Sequence, residues 1–120
     1  MKMKNPLEVK QNKYRNVKVE YMGIKFDSIT ERDYYWYLLD RQSKGEIKEL
    51  RRQVKYVLIP KFQVGNTKER ETSYIADFVY KEKGEEIVVD VKSPITRKDK
   101  VYRLKKKLFE FLYKKEIKEV

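Results

Sequence analysis

Three observations in this sequence predict an α/β fold of the α+β kind, with core elements in the order αβββαβ and a β-hairpin in front. Two runs, Ser73 to Lys81 (SYIADFVYK) and Glu86 to Ser93 (EIVVDVKS), have the β-branched and aromatic composition of strands, and the short segment between them contains Gly84. They read as a hairpin. Two other stretches, near residues 29–43 and 99–114, repeat apolar residues at helical spacing. Between the helices and the hairpin lies one further strand-like run, Val54 to Gln63 (VKYVLIPKFQ).

Taken in order, residues 1–15 read as a basic, flexible arm, with four lysines between Met1 and Tyr14. Residues 16–120 read as a single domain, because no long Gly/Pro/Ser linker interrupts a chain of 120 residues that is 40% hydrophobic. Alternation on either side of Met22 and Gly23 makes Asn16 to Phe26 a hairpin. Asp27 and Ser28 open a helix that runs to about Ser43 and is closed by Gly45. A short basic stretch (IKELRRQ) leads to the Val54 strand, which Pro60 places near an edge or bulge, and Val64 to Thr72 reads as a loop. The last helix spans about Asp99 to Lys114. Its apolar stripe is Val101, Leu104, Leu108, Phe111 and Leu112, expected to face the core, with Lys100, Arg103, Lys106, Lys107 and Lys114 over the outer face. Ile117 to Val120 closes the chain as a short strand.

The most informative residues are Asp77, Asp90 and Lys92. Alternation along a strand puts Asp90 and Lys92 on one face, and the simplest hairpin register sets Asp77 opposite Asp90. Both acids sit in apolar runs, Ile75 to Val79 and Val88 to Val91, where an unpartnered carboxylate is costly. A cation between them removes that cost, and oxygen ligands suit Mg²⁺ or Mn²⁺. A structural network of salt bridges to neighbouring lysines answers it equally well. Glu31 is a third such acid, since at ~100° per residue it shares a helical stripe with Tyr34, Tyr35, Leu38 and Leu39. The pattern Ser28-x-x-Glu31 is also a capping box, so the glutamate has a structural and a metal-site reading that are compatible. Asp33 points elsewhere.

Composition excludes several chemistries. The chain has no cysteine and no histidine, so there is no thiolate nucleophile, no zinc-thiolate site and no imidazole base. Catalysis would run on carboxylates, lysine, hydroxyls and metal. Thirty Lys and Arg against 19 Asp and Glu give a net charge of +11, which points to a polyanion partner such as DNA. No apolar run approaches the ~18 residues of a membrane span, and MKMKNPLEVK lacks a signal-peptide core, so the expectation is a cytoplasmic protein without a membrane partner.

Element order, Glu31 on the first helix, Asp77, and the Asp90-Val91-Lys92 run together resemble the PD-(D/E)XK nuclease superfamily. The runs GIKFDSITERDYYWYLL, TSYIADFVY, VVDVKS and VYRLKKKLFE look like a small phage-encoded family within it, similar more distantly to phage junction-resolving endonucleases. The resemblance covers the chain from about Gly23 onward. It implies a restriction-endonuclease-like core, with a central mixed sheet flanked by helices. It also implies that Asp77 and Asp90 coordinate Mg²⁺ or Mn²⁺ with the Val91 carbonyl, and that Lys92 orients or deprotonates the attacking water. Glu31 would complete the site or hold a second metal. Ala76 stands where the superfamily's name has proline.

The function so implied is a metal-dependent DNA endonuclease, structure-selective for branched or Holliday-junction DNA in phage recombination or replication, within a bacterial host cell. A homodimer suits symmetric cutting of two strands. Two alternatives stand beside it: a non-catalytic nucleic-acid-binding module, and a nuclease subunit that depends on a protein partner for targeting.

Overall fold

A computed structural model describes residues 19–120. The expected basic arm and the first three residues of the expected hairpin lie outside the described residues. The fold is mixed α+β, built on a central mixed sheet with three helices and a small hairpin in front.

That hairpin pairs β1 (Val19–Tyr21) with β2 (Ile24–Phe26) across Met22 and Gly23. Both turn residues have positive φ, 52° and 77°, the backbone that a two-residue turn between right-twisted strands demands and that glycine adopts without strain. Helix α1 (Ile29–Ser43) starts at Ser28, whose Oγ accepts a hydrogen bond from the Glu31 amide at 3.0 Å. It ends at Lys44, before Gly45 at φ 77°.

The main sheet has the order β3-β6-β7-β8. Strand β3 (Lys48–Ile59) pairs antiparallel with β6 (Thr72–Glu82), which pairs antiparallel with β7 (Glu85–Asp90). Strand β8 (Ile117–Glu119) runs parallel to β7, reached through the short helix α2 (Pro94–Arg97) and the long helix α3 (Lys100–Tyr113). A second small hairpin, β4 (Phe62–Val64) with β5 (Thr67–Glu69), extends the β3–β6 connection.

Several boundaries differ from the sequence reading. Strand β3 starts at Lys48, inside the stretch read as a basic connector, and stops at Ile59, before Pro60. As an edge strand it needs few apolar residues, which is why KELRRQ did not look like one. The segment expected to be a loop, Val64 to Thr72, contains most of the β4–β5 hairpin, turned at Gly65 with φ 58°. Strand β7 ends at Asp90 rather than Ser93, and the link from β6 is the two-residue turn Lys83–Gly84, φ 52° and 80°.

The core has two halves, one on each face of the sheet. On the α3 side are Leu58, Tyr74, Ala76, Val79, Val88, Tyr102, Phe109 and Ile117. On the α1 side, Leu38, Ile47, Phe78, Tyr80 and Val89 pack together. Strands β3 and β6 change allegiance midway: Leu50 serves the α1 side and Val54 the α3 side, while Ala76 serves the α3 side and Phe78 the α1 side. Regular alternation would leave each even-numbered pair on one face. The crossover falls at Gln53, which lies opposite Asp77 in the register and has φ 50°.

One expectation is overturned. Of the stripe Val101, Leu104, Leu108, Phe111 and Leu112, only Leu108 packs against the core. Tyr102 and Phe109 are the buried residues of α3, whereas Val101 is 62% exposed, Leu104 59% and Phe111 68%. The helix has an aromatic row as well as an aliphatic one, and the flat rings of Tyr102, Phe109 and Tyr113 cover the sheet beside Tyr56 and Tyr74.

Candidate functional site

The acids gather where β6 and β7 run out of regular pairing. Phe78 is opposite Val89, so Asp77 and Asp90 meet at the next step, as the simplest register required. Asp90 is fully buried. Its Oδ1 accepts from the Asp77 amide at 3.1 Å, and its Oδ2 accepts from the hydroxyl of Tyr74. Asp77 Oδ2 accepts from the Val91 amide at 2.9 Å. Strand β7 has ended there, and the carboxylate replaces the lost ladder partner.

Glu31 arrives from the other face. Its Oε2 accepts from the Asp27 amide at 3.1 Å, one residue before the Ser28 cap, so the capping box closes on Asp27. The other oxygen, Oε1, accepts from Gln53 Nε2 at 3.1 Å and lies 3.8 Å from Arg52 Nη2. Gln53 also reaches Asp77 Oδ1 at 3.4 Å, so one amide ties the helix acid to the strand acid. One oxygen closes the cap on Asp27, and the other is left to Gln53 and Arg52.

Electrostatics makes Asp77 the hub. Burial first, and then the negative charge of Asp77, push the Glu31 carboxyl up to about 7. Burial likewise raises Asp90; the Lys92 ammonium opposes that rise and Asp77 adds to it. Burial and the Asp90 charge hold Tyr74 protonated, which keeps its hydroxyl a donor. This corner therefore carries more buried negative charge than its neighbours balance.

Lys92 lies just beyond β7, its amide donating to the Val120 carbonyl at 3.2 Å and its Nζ 5.3 Å from the centre of the Tyr102 ring. Tyr74 and Tyr102 both belong to the α3 side, so Asp90 and Lys92 share that side. Val91, expected to ligate through its carbonyl, is engaged through its amide. Asp33 is exposed and pairs with Arg32 at 2.8 Å.

The Tyr102 hydroxyl donates to Glu119 Oε2 at 2.7 Å, and Lys106 Nζ to Glu119 Oε1 at 3.0 Å. Around this pair opens a cleft of about 620 Å³ in which five basic residues, Arg97, Lys100, Arg103, Lys106 and Lys107, outnumber the acids Glu110 and Glu119, with Leu104 at its side. Four of the five predicted phosphate-binding residues line it. Lys114 does not: it caps the far end of α3, 4.6 Å from the Phe111 ring centre, beside a second cleft with Lys115 and Lys118.

Gln53, Tyr74 and Arg97 join the site although the sequence pattern did not single them out. Tyr74 had a signal, because it lies three residues before Asp77 in a strand facing Asp90. Gln53 had none, since a polar residue in a charged edge strand is unremarkable until its positive φ is seen.

Among the described residues no group of three acids converges as a ready-made metal cage. The acids form two linked pairs, Glu31 with Asp77 and Asp77 with Asp90. Their all-oxygen donors and unbalanced charge suit a hard divalent cation. Among the described residues no helix is long and apolar enough to cross a membrane.

Fold and site thus define a mixed α+β protein that gathers buried carboxylates and a lysine at a sheet end beside a basic cleft. The chain belongs to the family described as "Protein of unknown function (DUF1064)", which matches residues 11–119. No curated protein and no solved structure matches it.

Proposed function

We propose that this chain is a divalent-metal-dependent DNA endonuclease of the PD-(D/E)XK kind, with α1, β3, β6, β7, α3 and β8 as its αβββαβ core. One observation carries the reading: Asp77, Asp90 and Glu31, from three separate elements, are buried next to one another, with Lys92 above the end of β7 and a basic cleft alongside. Burying carboxylates together costs stability, and function is the usual reason for retaining such an arrangement.

Asp77 and Asp90 would hold Mg²⁺ or Mn²⁺, with Glu31 completing the acid set. The cation, when bound, supplies charge shielding and a more acidic water. Lys92 brings a positive charge to the mouth of the site, where charge develops on a phosphate under attack. Arg97, Lys100, Arg103 and Lys107 neutralise the phosphate backbone leading to it, while Lys106 is already paired to Glu119. Branched DNA is the proposed substrate class, in phage recombination or replication in the host cytoplasm, with shape rather than base contacts providing selectivity.

A second reading, a nuclease subunit completed by a partner protein, is favoured by the hydrogen-bonded, fully buried state of Asp90 and by the apolar stripe that α3 turns outward. The experiment is cleavage of four-way-junction, flap, duplex and single-stranded DNA by wild type, Asp77→Asn and Lys92→Ala, with Mg²⁺, Mn²⁺ or EDTA. Metal-dependent cutting lost in both variants supports the enzyme. Binding without cutting under every metal condition moves the assignment to the incomplete subunit or the non-catalytic module.

A further inference from the structure

The exposed row on α3 has a defined pattern. Val101, Leu104, Leu108 and Phe111 are separated by three, four and three residues, the spacing of a seam that another helix fills, and Leu112 adjoins it. Leu108 is half-buried, and the others stand in solvent although Phe109, between them, is completely buried. An apolar strip on a surface this rich in charge marks an interaction site.

Charge identifies the occupant. Lys100 and Lys107 stand seven residues apart on one edge of the seam, Lys105 lies on the other, and Lys114, the left-handed cap residue of α3, sets its ammonium 4.6 Å from the Phe111 ring centre. In a helix pair these flanking positions decide partner choice. A second copy of this chain would set lysine row against lysine row. Residues 1–18 suit the seam no better, with six basic residues and one acid. DNA would satisfy the lysines and leave the aliphatic row in water. A membrane surface requires a broad apolar face, and this one is a narrow seam hemmed in by Tyr102 and Phe109 packed on the sheet.

We propose that α3 is the docking surface for an amphipathic helix of another protein, apolar along its own seam and acidic along its flanks. Hydrophobic seam and lysine edge divide the work: the first supplies affinity, the second excludes basic or self-pairing helices.

A labelled synthetic peptide of about three heptads, leucine at the seam and glutamate at the flanks, tests this directly. Its twin carries lysine at the flanks. Fluorescence anisotropy against the intact protein, without DNA or metal, is expected to show the acidic peptide binding at least about tenfold more tightly than the basic one. Phe111→Asp and Leu104→Asp should each weaken binding about tenfold or more, with melting temperature preserved because both side chains are exposed. The double variant Lys100→Glu, Lys107→Glu should invert the preference toward the basic peptide. Equal binding of both peptides, or of neither, overturns the proposal. So does a wild-type dimer that Phe111→Asp dissociates in sedimentation, or partition onto phosphatidylserine vesicles that Phe111→Asp abolishes while peptide preference is absent. Lys100, Leu104 and Lys107 also line the cleft proposed for the phosphate backbone, so helix and DNA compete for it; the peptide result is read without DNA or metal, whereas failure of the nuclease reading appears in cleavage and Mn²⁺ uptake.

Discussion

The two long helices meet the same sheet in opposite ways. Helix α1 hides charge: Glu31 and Arg32 are buried, Arg32 with its guanidinium 4.4 Å from the Trp36 ring centre. Helix α3 shows grease, with Val101, Leu104 and Phe111 in solvent. Each departs from the rule that apolar side chains go inward, and in opposite directions. Buried polar groups and exposed apolar patches are the informative exceptions to that rule. The two departures are the ground of the two proposals: chemistry where α1 and the strand ends bury acid, recognition where α3 exposes its seam.

Within α3 itself, neighbouring aromatic residues should behave oppositely when truncated. Phe109→Ala should cost about 3–5 kcal/mol by emptying a buried aromatic position, whereas Phe111→Ala, two residues on, should change stability by less than about 0.5 kcal/mol. Urea denaturation of both reads the difference. Equal losses would mean that the helix is rotated relative to this account.

Next in size is the pH response of the metal-free protein. Glu31 is raised to about 7 in the folded state, so between the ordinary carboxylate range and about pH 7 the folded chain holds a proton that the unfolded chain has released. Stability from this group is therefore full below that window and falls as pH rises through it, by roughly 3 kcal/mol at most. Glu31→Gln keeps an oxygen for the Asp27 amide and should flatten the profile. Melting curves from pH 4 to 8 on both proteins decide it, and identical slopes would count against the buried-acid account.

Smaller again is Tyr74→Phe, which removes a donor from buried Asp90 and should cost about 1–3 kcal/mol in urea denaturation. Smallest is Gln53→Ala, at about 1 kcal/mol, since it removes one bridging amide from a position with positive φ. Its clearer signature is a larger Glu31 shift in carboxylate NMR titration, because an amide donor that favours the charged carboxylate has been removed.

Much of the fold was legible where the signal is local. The X–Gly turn of the first hairpin, the Ser28 start and Gly45 end of α1, and the alternating runs of β6 and β7 each depend on neighbours in sequence. The Asp77–Asp90 juxtaposition followed from the shortest register. What escaped depends on tertiary context. Strand β3 begins in a charged stretch because it is an edge, and helix α2 was overlooked although Ser93-Pro94 is a cap followed by proline at the first helical position. Helix α3 offers an aliphatic and an aromatic row, and periodicity alone does not say which meets the sheet. Gln53 matters because of a backbone twist that no residue type announces.

Whether these buried acids are assembled for a divalent cation is decided by calorimetric titration of Mn²⁺ into wild type and Asp77→Asn. Asparagine preserves an acceptor for the Val91 amide, so the fold is retained while the hub charge is lost. The account predicts a saturable wild-type isotherm, a rise in stability of about 2.7 kcal/mol at a hundredfold excess over Kd, and loss of both in the variant. Wild type that takes up no Mn²⁺, or Asp77→Asn that binds it equally well, would contradict it.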